Sequence, residues 1–139
     1  MDAAAAIDEL RSLSTQIDVI MVAARDGSVT ASTVEGDRAE RLGGLARDLV
    51  AGADTVRADL GRDALSQLQA ATPDGSVFVV LDGDRMAVAT TGADPTVGLV
   101  FYDLKTLLRQ IGDDDGAAAP AGTTVFAARG SGSVSEGPA

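Results

Sequence analysis

Between residues 2 and 14 the apolar positions Ala3, Ile7, Leu10 and Leu13 recur at three- and four-residue steps, with Asp8, Glu9 and Arg11 between them. That spacing predicts an amphipathic helix, and Asp2 stands where a side chain can cap its first free amide groups. The pattern then changes. Residues 19–24, VIMVAA, are apolar nearly throughout, whereas 28–33, SVTAST, alternate, which predicts a central strand followed by an edge strand. Between them Asp26 and Gly27 suit the positive backbone angles of a type I′ hairpin turn. From 37 to 60, Leu42, Leu45, Ala46, Leu49, Val50, Ala53, Val56 and Leu60 return at helical spacing, with Gly61 at the C-cap, predicting the longest helix of the chain. Gly43, Gly44 and Gly52 each cost that helix about 1 kcal/mol relative to Ala, so close approach of another backbone is expected to compensate.

Three strand-like runs follow at 64–71, 76–81 and 85–91, parted by TPDG and DGD turns. Gln67 and Gln69 make the first the most polar and so an edge, while VFVVL and MAVAT read as inner strands. Asp94-Pro95 is expected to open a last helix whose stripe is Val97, Val100, Phe101, Leu104, Leu108 and Ile111, closed by Gly112. Residues 113–139 turn to Gly, Ala, Ser and Pro, which predicts a flexible tail beside a domain of residues 1–112. Within it TTVFAA, 123–128, has the strand character needed to add to a sheet edge.

The predicted fold is α+β: helix, two strands, long helix, three strands, helix. Joining the two hairpin-linked groups through their most apolar members gives a five-stranded antiparallel sheet of order 2-1-5-4-3, flanked by helices. Both polar runs then fall at edges, where exposed backbone is tolerated.

Composition narrows the chemistry. Only 3% of residues are aromatic, so Val, Leu, Ile, Met and Ala must fill the core around Phe78, Phe101, Phe126 and Tyr102. A net charge of -10 argues against nucleic acid and anionic lipid as partners. Asp2 stands where a signal peptide would be basic and the first apolar run breaks after Ile7, so neither a leader nor a membrane span is expected and the cytoplasm is the expected compartment. With no histidine and no cysteine, the Ser-His-Asp triad, thiolate chemistry and the commonest metal ligands are excluded. The single lysine, Lys105, lies on a predicted helix, away from any P-loop setting.

Asp82 and Asp84 supply two acids where a calcium loop needs more, and Asp113 to Asp115 read as a solvated charge run. Asp-Gly at 26–27, 74–75 and 82–83 lies between strand-like runs each time, so these aspartates are expected to serve backbone geometry. Arg25, Arg62 and Arg85 stand beside turns, where an arginine can either reach a nucleotide phosphate on a partner or simply stay solvated. No catalytic, cofactor-binding or metal-binding residue emerges, and no cofactor is expected.

This order of elements resembles the roadblock family of dynein-light-chain-like domains, in its bacterial branch of Ras-like GTPase regulators. The likeness rests on IDELRSLS, VIMVAARDGSVTAS, the long Ala/Leu helix ending in LG at 60–61, and TVGLVFYDLKTLLRQI, and extends over residues 2–112. Asp18 departs from it, standing where many members carry glycine after the first helix. The resemblance implies a non-catalytic homodimer in which second helices pack together and third strands pair into one continuous sheet. Mapped here, that interface takes in Leu45, Leu49, Gly52, Val56, Leu65, Gln67 and Gln69. It further implies a regulatory or scaffold role toward a small Ras-like GTPase, in a signalling system linked to a sensor kinase. The alternative from another class is a small-ligand sensory module of PAS- or GAF-like plan, which would need polar groups converging on an apolar cavity.

Overall fold

A computed structural model describes the backbone of residues 1–118 and the side chains through residue 112. Its elements run α1 (Ala3–Leu13), β1 (Ile17–Ala24), β2 (Val29–Ser32), α2 (Gly36–Asp59), β3 (Gln67–Thr72), β4 (Gly75–Asp82), β5 (Arg85–Thr91) and α3 (Val97–Ala118). The strands form one antiparallel sheet of order β2-β1-β5-β4-β3, as the hydrophobic pattern predicts.

The inner strands are apolar along their central stretches because both faces of the sheet are covered there. Ile20, Val22, Phe78, Val80, Ala87 and Ala89 point to one side, where α1 and α3 add Ile7, Leu10, Val100, Leu104, Leu107, Leu108 and Ile111. Phe78 meets Phe101 edge to face, ring centres 5.1 Å apart. Met21, Ala23, Val79, Met86 and Val88 point to the other side, where α2 adds Ala39, Ala46 and Val50.

Local chemistry sets the element ends, and at four places the structure departs from the pattern. Asp2 does cap α1, its Oδ1 accepting from the Ala5 N–H at 2.8 Å. Asp94 caps nothing: its φ of 57° is left-handed, and α3 starts at Val97, with the Thr96 carbonyl accepting from the N–H groups of Leu99 and Val100. Gln16 Oε1 takes the Thr96 N–H at 2.8 Å. Gly112 does not end α3, which continues to Ala118; a Cβ at Gly112 would lie 2.9 Å from the Arg85 guanidinium, so this glycine makes room for an arginine.

β3 begins at Gln67, three residues later than the pattern suggests, because the Leu65 N–H is taken by Asp54 Oδ1 of α2 at 3.0 Å instead of by a strand partner. The β1–β2 turn is not type I′, which needs two successive positive φ angles. Here only Gly27 has one, 95°, while the Asp26 carboxylate accepts the N–H and hydroxyl of Ser28 at 2.8 and 2.6 Å. Those bonds, the hydroxyl first, hold the Asp26 carboxyl below the usual carboxylate range. Asp26 therefore serves geometry, as expected, through its side chain. The segment 123–128 lies outside the described residues.

Candidate protein interface

α2 carries its side chains in an order opposite to that of an ordinary surface helix. The residues it buries are small, Ala39, Gly43, Ala46 and Val50. Leu42 packs half-buried against the same core, but the other leucines and Val56 face outward: Leu45 is 65% exposed, Val56 59%, Leu60 at the helix end 67% and Leu49 38%. The cause is the distance between helix and sheet. A Cβ at Gly43 would run into the Gly27 carbonyl and lie 3.1 Å from the Val29 side chain, so the helix passes with backbone contact over the β1–β2 turn. The expected close approach of a second backbone thus occurs at Gly43, and the chain's own hairpin provides it. At Gly52 nothing lies within 4 Å.

Leu45, Leu49, Gly52 and Val56, spaced by four, three and four residues, fall on one line along α2, which Leu60 continues. Leu60 was left out of the interface expected from the sequence, although its place in the apolar repeat marked it. The helix leads into β3, which among the described residues hydrogen-bonds only to β4 and so forms a sheet border. Gln67 and Gln69 lie on the α3 side of that border, Gln69 donating to Ser76 Oγ at 3.2 Å. Leu65 precedes the strand and packs, half-buried, with Leu68 against the α2-side core. A shallow hollow lined by Asp54, Ala58, Arg62, Asp63 and Ala64 joins helix end to border.

The three arginines separate. Arg25 is committed inside the chain: its guanidinium donates to Asp54 Oδ2 at 3.1 Å and to the Gly83 carbonyl at 3.2 Å, and its N–H to the Asp84 carbonyl at 2.8 Å. That clamp ties α2 to both hairpin turns and engages the Arg25 guanidinium within the chain. No local spacing announced it, since Asp54 is far away in sequence. Arg85 faces Asp82 at 3.8 Å and the Leu108 carbonyl at 3.5 Å. Only Arg62 borders the outer hollow.

Among the described residues no three potential metal ligands gather, and no helix is long and apolar enough to cross a membrane. An open groove of about 330 Å³ lies outside the core, between Ser66 and Gln67 on one side and Lys105 and Arg109 on the other.

The Roadblock/LC7 domain family matches residues 4–91. The chain belongs to this family. No curated protein matches it in sequence. A Roadblock/LC7 domain from Streptomyces avermitilis shares the fold at a TM-score of 0.75 and 14% identity, over 82% of this chain and 98% of that one. Myxococcus xanthus MglB does so at 0.66 and 12%, over 83% and 92%. An MglB with tetrameric arrangement matches at 0.69 and 15%, over 83% and 90%. At such identities the likeness establishes the roadblock architecture, and the roles of individual residues rest on the geometry above.

Proposed function

We propose that this roadblock chain is a cytoplasmic homodimeric regulatory or scaffold protein for a small Ras-like GTPase. The observation that carries the reading is the line of large exposed side chains on α2 beside a β3 border that no other strand among the described residues covers. A helix that buries Ala and Gly and exposes Leu and Val has an apolar face fit for a second helix, and a free border fits a second strand. Family membership supports both the pairing and the GTPase, and one MglB of the same fold assembles with tetrameric arrangement. A chain lacking histidine and cysteine is poorly equipped for proton transfer or nucleophilic attack, which favours action through surfaces.

Light scattering tests the first half: Leu45→Asp and Val56→Asp are expected to lower the mass in solution to that of one protomer. Retention of the dimer in both would refute the interface. The second half is tested by gel filtration with a Ras-like GTPase encoded beside this chain, loaded with GDP or with a non-hydrolysable GTP analogue. Co-elution in at least one state is expected, and failure in both sinks the GTPase reading. Single-turnover GTP hydrolysis with and without the protein separates activator from scaffold, and Arg62→Ala tells whether the arginine at the hollow takes part.

A further inference from the structure

The face opposite α2 carries a second unpartnered surface. Along the outer side of the α1–α3 pair runs a groove of about 150 Å³, walled by Leu13 and Tyr102 and edged by Glu9, Asp103 and Gln110. Leu13 is 75% and Tyr102 61% exposed, and Leu99, one turn earlier on α3, continues the apolar strip.

Among the described residues, no cation pairs with the acids of this groove. Asp103 is half-buried and, among the described residues, has neither a hydrogen bond nor an ion pair. Its burial raises the carboxyl above the ordinary range. Glu9 Oε2 accepts only from the neutral Gln110 amide, at 3.4 Å. Arg109 donates to Thr106 Oγ1 at 3.2 Å, while Arg11 and Lys105 line other grooves. An acid desolvated without a partner is unfavourable, and an incoming cation relieves it.

Two adjacent helical ridges are the shape a third helix fills, and no strand border lies here for an extended peptide to join. Anionic lipid is disfavoured by the acids at the rim. We infer that this groove docks a short basic amphipathic helix of a partner protein, its apolar side chains over Leu13 and Tyr102 and a lysine or arginine against Asp103. The site is on the opposite side of the sheet from α2, so it stays open when α2 and β3 are engaged and does not depend on the GTPase reading.

The test is selection of a displayed library of amphipathic helices, about four turns long, against the full-length chain, followed by fluorescence anisotropy on the enriched peptides. Enriched sequences are expected to carry Lys or Arg one turn from Leu or Phe. Asp103→Asn should weaken them about fivefold and flatten their loss of affinity with added salt, and Leu13→Ser, at an exposed position, should weaken them comparably. Enriched peptides without cations, unchanged affinity for both variants, or no enrichment at all would overturn the assignment. So would tighter peptide binding by Arg129→Glu, which would make the chain's own segment beyond α3 the occupant.

Discussion

On one face of the sheet, α1 and α3 lay leucines, isoleucines and a phenylalanine over Ile20, Val22 and Phe78. On the other, α2 is the one helix, laying two alanines, a valine and a half-buried leucine over Met21, Val79 and Val88. The first face is finished within the chain. The second is covered more thinly, by a helix drawn so close that most of its large side chains point away from the sheet. A single helix can therefore complete a core with its small residues and offer a different surface with its large ones. The apolar repeat alone does not reveal which set goes where.

The comparison breaks first at Phe78. Its replacement by Ala should lower stability by about 3–5 kcal/mol in urea unfolding, because two layers close on the ring. Val50→Ala, in the thin cover, should cost less, about 0.5–3 kcal/mol. Equal losses would mean that the two faces are packed alike.

Next come the two glycines of α2. Gly43→Ala must push the helix off the Gly27 carbonyl and should cost about 1–3 kcal/mol. Gly52→Ala, with open space around it, should instead stabilise by about 0.5–1 kcal/mol in dilute protein. If Gly52→Ala destabilises, something is packed against that position, and the effect should then grow with protein concentration.

Smaller still is the clamp between α2 and the hairpins. Arg25→Ala and Asp54→Asn should each cost below about 1 kcal/mol, since both side chains are more than a third exposed. A double-mutant cycle should find the two losses overlapping; strict additivity would mean that the ion pair is idle.

The smallest effect belongs to Asp103. Its folded carboxyl is raised by burial, so folding favours the protonated form: the stabilisation from protonation is complete in acid and is lost as pH rises through the raised value. Asp103→Asn should accordingly be slightly more stable than the parent at pH 7, and the difference should vanish in acid. A difference that persists unchanged at low pH would assign it to packing.

Most of the architecture was legible because turns and periodicity are local. The hairpin dipeptides and the apolar runs fixed five strands and their order, and the most polar runs did fall at the borders. What escaped was set by distant groups. Gly112 reads as a stop until Arg85, from another strand, is seen to fill the space beside it. Asp94-Pro95 reads as a cap until Gln16 claims the Thr96 amide. Leu65 reads as strand until Asp54 takes its N–H. In the candidate interface the line on α2 was visible as part of a broad apolar sector, whereas its exposure depends on the contact between Gly43 and Gly27, two residues sixteen apart in sequence.

The two borders of the sheet are unequal in a way that limits growth. β3 offers six residues in regular register, whereas β2 offers four, and its pairing to β1 is broken by a bulge at Val22 and Ala23. The longer, regular margin is the one better suited to lateral addition of a strand. The short, bulged strand correspondingly makes its own side of the sheet the poorer template for another strand.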